Sequence, residues 1–192
     1  MTAIASSNRR REILLAIAFF SFTASIIGCK SNPTDSSPAP AQVSANSEAT
    51  PERHPVTPVP AIKKHLYSAE ADPKAEISSA LKQAALEHKR IILDFGGDWC
   101  GDCQVLDIYF HQPPNADLLE KNFIVVHVDI GRYDKNLDIA EKYKIPLKKG
   151  VPALAVIDTH DKLLYSQETG EFEDMRYMYP NSVTDFLNRW KA

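Results

Sequence analysis

Apolar positions fall into three regimes along the chain. After Arg9, Arg10, Arg11 and Glu12, residues Ile13 to Gly28 are apolar except for Ser21, Thr23 and Ser25, and Cys29 follows. Between residues 30 and 60 apolar periodicity disappears among Pro33, Pro38, Pro40, Pro51, Pro55, Pro58 and Pro60 with Ser, Ala and Thr. From Ala75 onward the pattern becomes that of a packed domain. Ile77, Ala80, Leu81, Ala84, Ala85 and Leu86 recur near helical spacing and predict an amphipathic helix over Ala75–Lys89. Arg90–Phe95 is a short β-branched apolar run of the kind buried in an α/β sheet, ended by Gly96 and Gly97. Val105, Leu106, Ile108 and Tyr109 predict a helix over 100–110 that His111 to Pro114 terminates. Phe123–Ile130, Ala153–Asp158 and Lys162–Ser166 read as strands, the last two joined by the polar turn Thr159–Asp161. Asn136–Tyr143 and Asn181–Lys191 read as helices, the second with Val183, Phe186, Leu187 and Trp190 on one face. The early strand–helix–strand order implies a right-handed parallel crossover and the later strand–turn–strand an antiparallel hairpin. The fold class is therefore α/β, a central mixed sheet flanked by helices on both faces.

Length changes this picture only by bounding it. A chain of 192 residues holds one domain with appendages, and 44% hydrophobic with 24% charged residues excludes collagen-like, coiled-coil and wholly disordered classes. A net charge of -3 leaves no basic excess for counterion-release binding, so nucleic acid is not expected as a partner. The Arg cluster and the apolar run after it form a secretory signal pattern, too short to span a bilayer permanently. Ile26-Ile27-Gly28-Cys29 resembles the bacterial lipobox. That resemblance implies cleavage after residue 28 and acylation of Cys29, with anchoring in the cell envelope facing the periplasm. Lys30 rather than Asp after the cysteine favours the outer membrane over the inner. An ordinary signal or an uncleaved anchor is the alternative. Residues 29–60 then form a Pro/Ser/Ala-rich tether that cannot bury a core, reaching between roughly 30 Å as a coil and 100 Å extended. The domain is expected over 61–192.

The chemistry lies at Cys100-Gly101-Asp102-Cys103, where a helix starts directly after a buried strand. Unpaired N–H groups and the positive end of the helix dipole stabilise a thiolate there, making Cys100 the candidate nucleophile. Cys103, one turn on, can resolve a mixed disulfide by attacking the Cys100 sulfur.

The stretch Asp94-Phe95-Gly96-Gly97-Asp98-Trp99-Cys100-Gly101-Asp102-Cys103 resembles the active-site stretch of thioredoxin. Val126-His127-Val128-Asp129, Glu141-Lys142-Tyr143-Lys144-Ile145, Gly150-Val151-Pro152-Ala153-Leu154 and Gly170 extend the likeness over about residues 75–192. The resemblance implies a thioredoxin-like fold and a cis Val151–Pro152 bond facing Cys100, with the Val151 backbone pairing to substrate. It also implies a buried Asp94 that assists proton transfer at Cys103, and a Trp99 that packs beside the thiols. Burial disfavours the charged form of a carboxyl group, which suits a base working near neutral pH. The plainer alternatives are a turn proline at 152, a partly solvated acid at 94 and core filling by Trp99.

Departures from the pattern carry expectations of their own. Asp102 stands where thioredoxin has proline. It either stabilises the first helical turn or, by disfavouring a Cys100 thiolate, pushes the couple from about -120 mV toward the roughly -270 mV of thioredoxin. His127 aligns with a lysine beside the buried acid and either tunes Asp94 or is a solvated strand histidine. Two insertions, Leu147–Lys149 and Glu171–Tyr179, should border the thiols. Phe172, Met175, Tyr177, Met178 and Tyr179 suit either partner contact or cover for the last helix.

The expectation is an exported, membrane-tethered thiol–disulfide oxidoreductase with a reductase or isomerase bias. It needs no cofactor, acts on disulfide-containing envelope proteins and draws electrons from a membrane dithiol protein. Two alternatives stand beside it. One is a copper- or zinc-binding module using Cys100, Cys103 and a histidine such as His111, although the six histidines form no recognisable ligand spacing. The other is a redox-inactive adaptor that binds through Glu171–Tyr179.

Overall fold

The computed structural model describes residues 58–192, so the signal pattern, Cys29 and nearly all of the proposed tether lie outside the described residues. Helix α1 (Pro73–Glu87) begins two residues earlier than its apolar pattern, because Asp72 caps it. The Asp72 carboxylate accepts the N–H groups of Lys74 and Ala75, and Pro73 takes the first helical position where no donor is needed. Strand β1 (Arg90–Gly96) follows, then α2 (Gly101–Phe110), α3 (Asn115–Asn122), β2 (Phe123–Asp129), α4 (Leu137–Lys142), β3 (Ala153–Ile157), β4 (Leu163–Ser166) and α5 (Pro180–Trp190). Short 3-10 helices occupy Leu147–Lys149 and Met175–Tyr177. Among the described residues no helix is long and apolar enough to cross a membrane.

The sheet order is β2-β1-β3-β4, parallel between β1 and β2 and antiparallel for the two later pairs. This is the mixed sheet that the pattern predicts. Strand β1 lies inside the sheet and is buried from Ile91 through Gly96, which explains its near-continuous apolar sequence. Alternate β1 side chains feed two cores. Ile91, Leu93 and Phe95 pack with Ile77, Ala80 and Ala84 of α1 and Ile139 and Ala140 of α4. Ile92 packs on the other face with Val105, Leu106, Tyr109 and Phe110 of α2 and Val183, Phe186 and Leu187 of α5.

Helix α3 has no counterpart in the sequence reading, which took Pro113 and Pro114 as the end of helical structure. The prolines instead lie in the short link, residues 111–114, between α2 and α3. The buried Asn115 amide donates to the carbonyls of Tyr109 and Pro180, and its oxygen accepts the Thr184 hydroxyl, tying the new helix to α2 and α5. The insertion after Gly170 also departs from expectation. Phe172, Met175 and Met178 are buried in the α2–α5 core, and the Met178 carbonyl accepts the Tyr109 hydroxyl at 2.8 Å. These apolar side chains are cover for the helices, so the partner-contact alternative for them is withdrawn.

An extended strap runs from Val59 to Tyr67 across the start of α2, fixed mainly by side chains of the β1–α2 turn and of α2. The Asp98 carboxylate accepts the N–H groups of Leu66 and Tyr67 at 2.8 and 3.0 Å. The Gln104 amide brackets Lys64, accepting its N–H and donating to its carbonyl, and Lys64 Nζ reaches Asp107 at 2.6 Å. Val59 N–H donates to the Arg176 carbonyl, so ordered contact reaches back to a residue assigned to the tether.

Candidate active site

Register decides which groups meet. In β1, Asp94 lies between His127 of β2 and Leu154 of β3, while Phe95 opposes Ala153. The residues preceding β3 are thereby brought to the end of β1 where the chain turns into α2. The Val151–Pro152 bond is cis. Cys100 and Cys103 form a disulfide at this point, their Cα atoms 5.3 Å apart.

Cys100 is the N-cap of α2. Its Sγ accepts the Cys103 N–H at 3.0 Å and lies 3.5 Å from the Val151 carbonyl oxygen. A thiolate at Cys100 would occupy the position of an N-cap oxygen, stabilised by that donor and by the helix dipole. Cys103 is fully buried, whereas Cys100 retains 4% exposure. Gly97 makes room for the indole of Trp99, since a Cβ there would sit 2.5 Å from Nε1. Trp99 is not core filling. It is 39% exposed, donates to the Gly131 carbonyl at 2.6 Å, carries the Arg132 guanidinium 5.0 Å from its ring and leans on Tyr133. Beyond Tyr133, a cavity of about 620 Å³ is lined by Leu137, Leu147, Lys148, Lys149 and Gly150. Gly170 has φ +77° and faces the Lys149 carbonyl, where a Cβ would also collide with the Glu173 carboxylate.

Asp94 is 2% exposed, so the solvated strand-end alternative is excluded. One carboxylate oxygen, Oδ2, accepts the Tyr67 hydroxyl at 2.8 Å and pairs with His127 Nδ1 at 2.9 Å. The other, Oδ1, has no hydrogen-bond partner among the described residues. Burial pushes the Tyr67 phenol well above its ordinary value, reinforced by the Asp94 charge and hydrogen bond. For His127 burial alone would lower the pKa, but the hydrogen bond and charge of Asp94, with smaller help from Asp107 and Glu76, outweigh it and raise it. Charged His127 is thus favoured in the folded state. Its contribution to stability is full below about pH 6.5 and fades as pH rises through the elevated folded value. Urea unfolding of His127→Gln across pH 5.5–8.5 (about the histidine range) should lose this segment of the stability profile; an unchanged slope would contradict it.

Asp102 requires a correction. Its charge is not left to act on Cys100 alone, because Arg176, brought over by the insertion, meets it. Arg176 Nε lies 3.2 Å from both carboxylate oxygens, and Arg176 N–H donates to Oδ1 at 3.0 Å. A Cβ at Gly101 would stand 3.6 Å from the Arg176 side chain, an ordinary contact distance, so the approach does not depend on glycine there. Arg176→Ala should expose the Asp102 charge, disfavour a Cys100 thiolate and lower the midpoint potential by about 30 mV, roughly tenfold in the exchange constant. Asp102→Asn should shift it in the opposite sense. Equilibration against dithiothreitol reads both, and equal potentials in the three proteins would remove Arg176 from the couple.

His111 is engaged with Asp107, its Nδ1 2.7 Å from that residue's carbonyl oxygen, so this nitrogen is not turned toward the cysteines. Among the described residues no group of three His, Cys, Asp or Glu side chains is gathered for a metal ion. Tyr67, Gln104, Asp107 and Arg176 are residues that the sequence reading did not single out. The one local signal was Asp98, a carboxylate in the β1–α2 turn with two N–H groups to hold.

Comparison with known proteins agrees with this architecture. Residues 72–159 match the sequence model of a family described as thioredoxin-like. A crystal structure described as a disulphide isomerase from Xylella fastidiosa Temecula1 is 32% identical, with a TM-score of 0.63, and the match covers 67% of this chain and 98% of that one. Thioredoxin-3 of Dictyostelium discoideum is 31% identical over 61 residues, 32% of this chain; the match spans 56% of that curated relative. The chain belongs to the thioredoxin-like family. Its fold and the Cys100–Cys103 pair together support a thiol–disulfide oxidoreductase.

Proposed function

We propose that the protein is exported, anchored to the bacterial envelope through a lipid on Cys29, and reduces or isomerises disulfides of other envelope proteins with the Cys100/Cys103 couple. The observation that carries the chemistry is the bonded cysteine pair at the start of α2, its outer sulfur beside the Val151 carbonyl. A Cys100 thiolate attacks a substrate disulfide, forming a mixed disulfide and releasing one substrate thiolate. Asp94 takes the proton of Cys103, whose thiolate then attacks Cys100 Sγ, expelling the second substrate sulfur and closing the intramolecular disulfide. Trp99, Val151, Pro152 and Gly170 form the rim on which the substrate chain seats; Gly101, Asp102 and His127 tune the couple from beside and below it. The likeness to a protein described as a disulphide isomerase supports the direction of this reading.

Returning the couple to the dithiol state consumes two electrons per turnover, so a membrane protein with its own exposed dithiol is the fitting donor. The signal pattern and Cys29 support envelope placement, and Lys30 favours the outer membrane.

The reduction potential of the whole chain, titrated against glutathione or dithiothreitol with Trp99 fluorescence, tests the direction. A value near or below about -220 mV supports a reductase fed by a membrane donor, and one above about -150 mV supports an oxidase instead. Fractionation tests the anchor: Cys29→Ala should move the protein from the membrane to the soluble envelope fraction, and an unchanged distribution would contradict lipidation.

A further inference from the structure

The strap places a phenol ahead of residues 72–159, the span that matches the thioredoxin-like sequence model. A Cβ at Gly96 would stand 2.5 Å from Tyr67 Oη and 2.7 Å from Cys103 Sγ, so hydroxyl and sulfur border the same small space. Tyr67 also stacks edge-on against His127, ring centroids 5.2 Å apart. Both donors converge on one oxygen of Asp94 and leave the other without a partner among the described residues. His127 sits on β2, the edge strand of the sheet, with its side chain 28% exposed while that of Asp94 is 2% exposed. Two clefts of about 380 and 410 Å³ meet at His127 along that edge, away from Trp99.

We propose that Tyr67 and His127 are positioning residues that make Asp94 a proton acceptor in a closed site: both hold Oδ2, Oδ1 is left to receive the Cys103 proton, and His127 gives a proton to solvent at the sheet edge in compensation. The proposal rests on the disulfide-exchange reading above. When Cys103 is deprotonated, its proton goes to Asp94 Oδ1 and the carboxylate becomes neutral. The imidazolium of His127 has then lost the charge that favoured it, and it releases its Nε2 proton while Nδ1–H keeps its hydrogen bond to Oδ2. One proton enters the buried triad and one leaves it, and the negative charge of the buried Cys103 thiolate leaves with the departing substrate sulfur, so the completed step adds no net charge to an apolar interior, where an uncompensated charge is costly. The electron pair that forms the Cys100–Cys103 bond comes from the Cys103 thiolate, and the departing substrate sulfur takes the pair from the broken bond.

Charged groups face the triad from each neighbouring element. Glu76 of α1 and Asp107 of α2 favour the imidazolium, and Asp98 of the β1–α2 turn acts on Tyr67. Lys64 of the strap offsets Asp107, His111 at the end of α2 lies beside that carboxylate, and Lys89 and Glu120 line the same edge cleft as His127. The Asp94 contact is the dominant one, since both the hydrogen bond and the charge of Asp94 precede those more distant groups for His127.

The test follows single turnovers of the reduced whole chain with oxidised glutathione as the probe, measuring mixed-disulfide formation at Cys100 and its resolution by Cys103 between pH 5 and 9 (the span about the histidine range). Tyr67→Phe and His127→Gln should each leave formation unchanged and move the acid limb of resolution upward by about one pH unit, because the carboxylate loses a donor or a charge partner. On the acid limb, wherever it falls in the profile, this reads as resolution about tenfold slower at a given pH. A resolution profile that coincides with wild type in both variants overturns the proposal, as does equal slowing of both steps at every pH, the mark of a merely structural role. His127→Gln, at the half-exposed edge, keeps the test alive should Tyr67→Phe fold poorly. A wild-type chain that forms no mixed disulfide would instead overturn the exchange reading itself.

Discussion

Serine at Cys103 is expected to turn the protein into one that captures disulfide substrates and does not release them. Cys100 keeps its N-cap position, because Cys103 contributes its backbone N–H to that sulfur and the substitution leaves the backbone donor in place. The first attack proceeds and the mixed disulfide forms. A serine hydroxyl cannot expel the substrate sulfur, so turnover in insulin reduction should fall to background while covalent adducts through Cys100 accumulate. Non-reducing electrophoresis and mass spectrometry of the adducts read this directly. Multiple turnover by Cys103→Ser would mean that resolution comes from an external thiol and that Cys103 is dispensable. Cys100→Ser should give neither adduct nor turnover.

The second large effect is expected from Asp94→Asn. The amide oxygen can still accept from Tyr67 and His127, so the triad keeps its shape, but the side chain no longer takes a proton. Removing a positioned base typically costs about 100-fold or more. Resolution of the mixed disulfide should slow by that order near neutral pH and lose its dependence on an acidic group, with the first attack little changed. Rapid-quench measurement of the two steps separates them. A loss shared equally by both steps would place Asp94 in packing around the thiols instead. The substitution places an amide NH2 at the Oδ1 position, which has no partner among the described residues, and removes the charge that favours the His127 imidazolium, so urea unfolding of the variant is measured alongside to separate a stability loss from the kinetic effect.

How much of this was visible in the residues differs from part to part. The sheet was legible because β1 and β3 are buried on both faces, and burial on both faces writes itself as uninterrupted apolar runs. The cysteines were legible because a helix start after a buried strand gives the pair its chemical meaning. Helix α3 was hidden by the two prolines before it, and a buried asparagine that no periodicity announces helps tie it to α5. Asp102 was read through its local charge, but its partner Arg176 lies 74 residues away, a distance at which no spacing rule operates. The aromatic and methionine residues after Gly170 looked suited to a partner because composition records apolarity and not direction; Phe172, Met175 and Met178 point inward. Tyr67 was invisible for a related reason. It precedes the first helix in a segment with no periodic pattern, and it is placed under the thiols by distant partners, the Asp98 carboxylate that holds Leu66 and Tyr67 by their N–H groups and the Gln104 amide that brackets Lys64.

The Asp98-bound strap bears on how portable the four residues Cys100 to Cys103 are. Transplanted into another scaffold, they would arrive without the phenol supplied from 27 residues before Asp94 and without the guanidinium supplied from 74 residues after Asp102. Conversely, a protein trimmed to begin at Pro73 would retain every helix and strand described here while discarding Tyr67 and the Val59 link to Arg176. The unit that transfers the chemistry is the whole span from the strap to the insertion, and grafting or trimming inside it exchanges one redox protein for another.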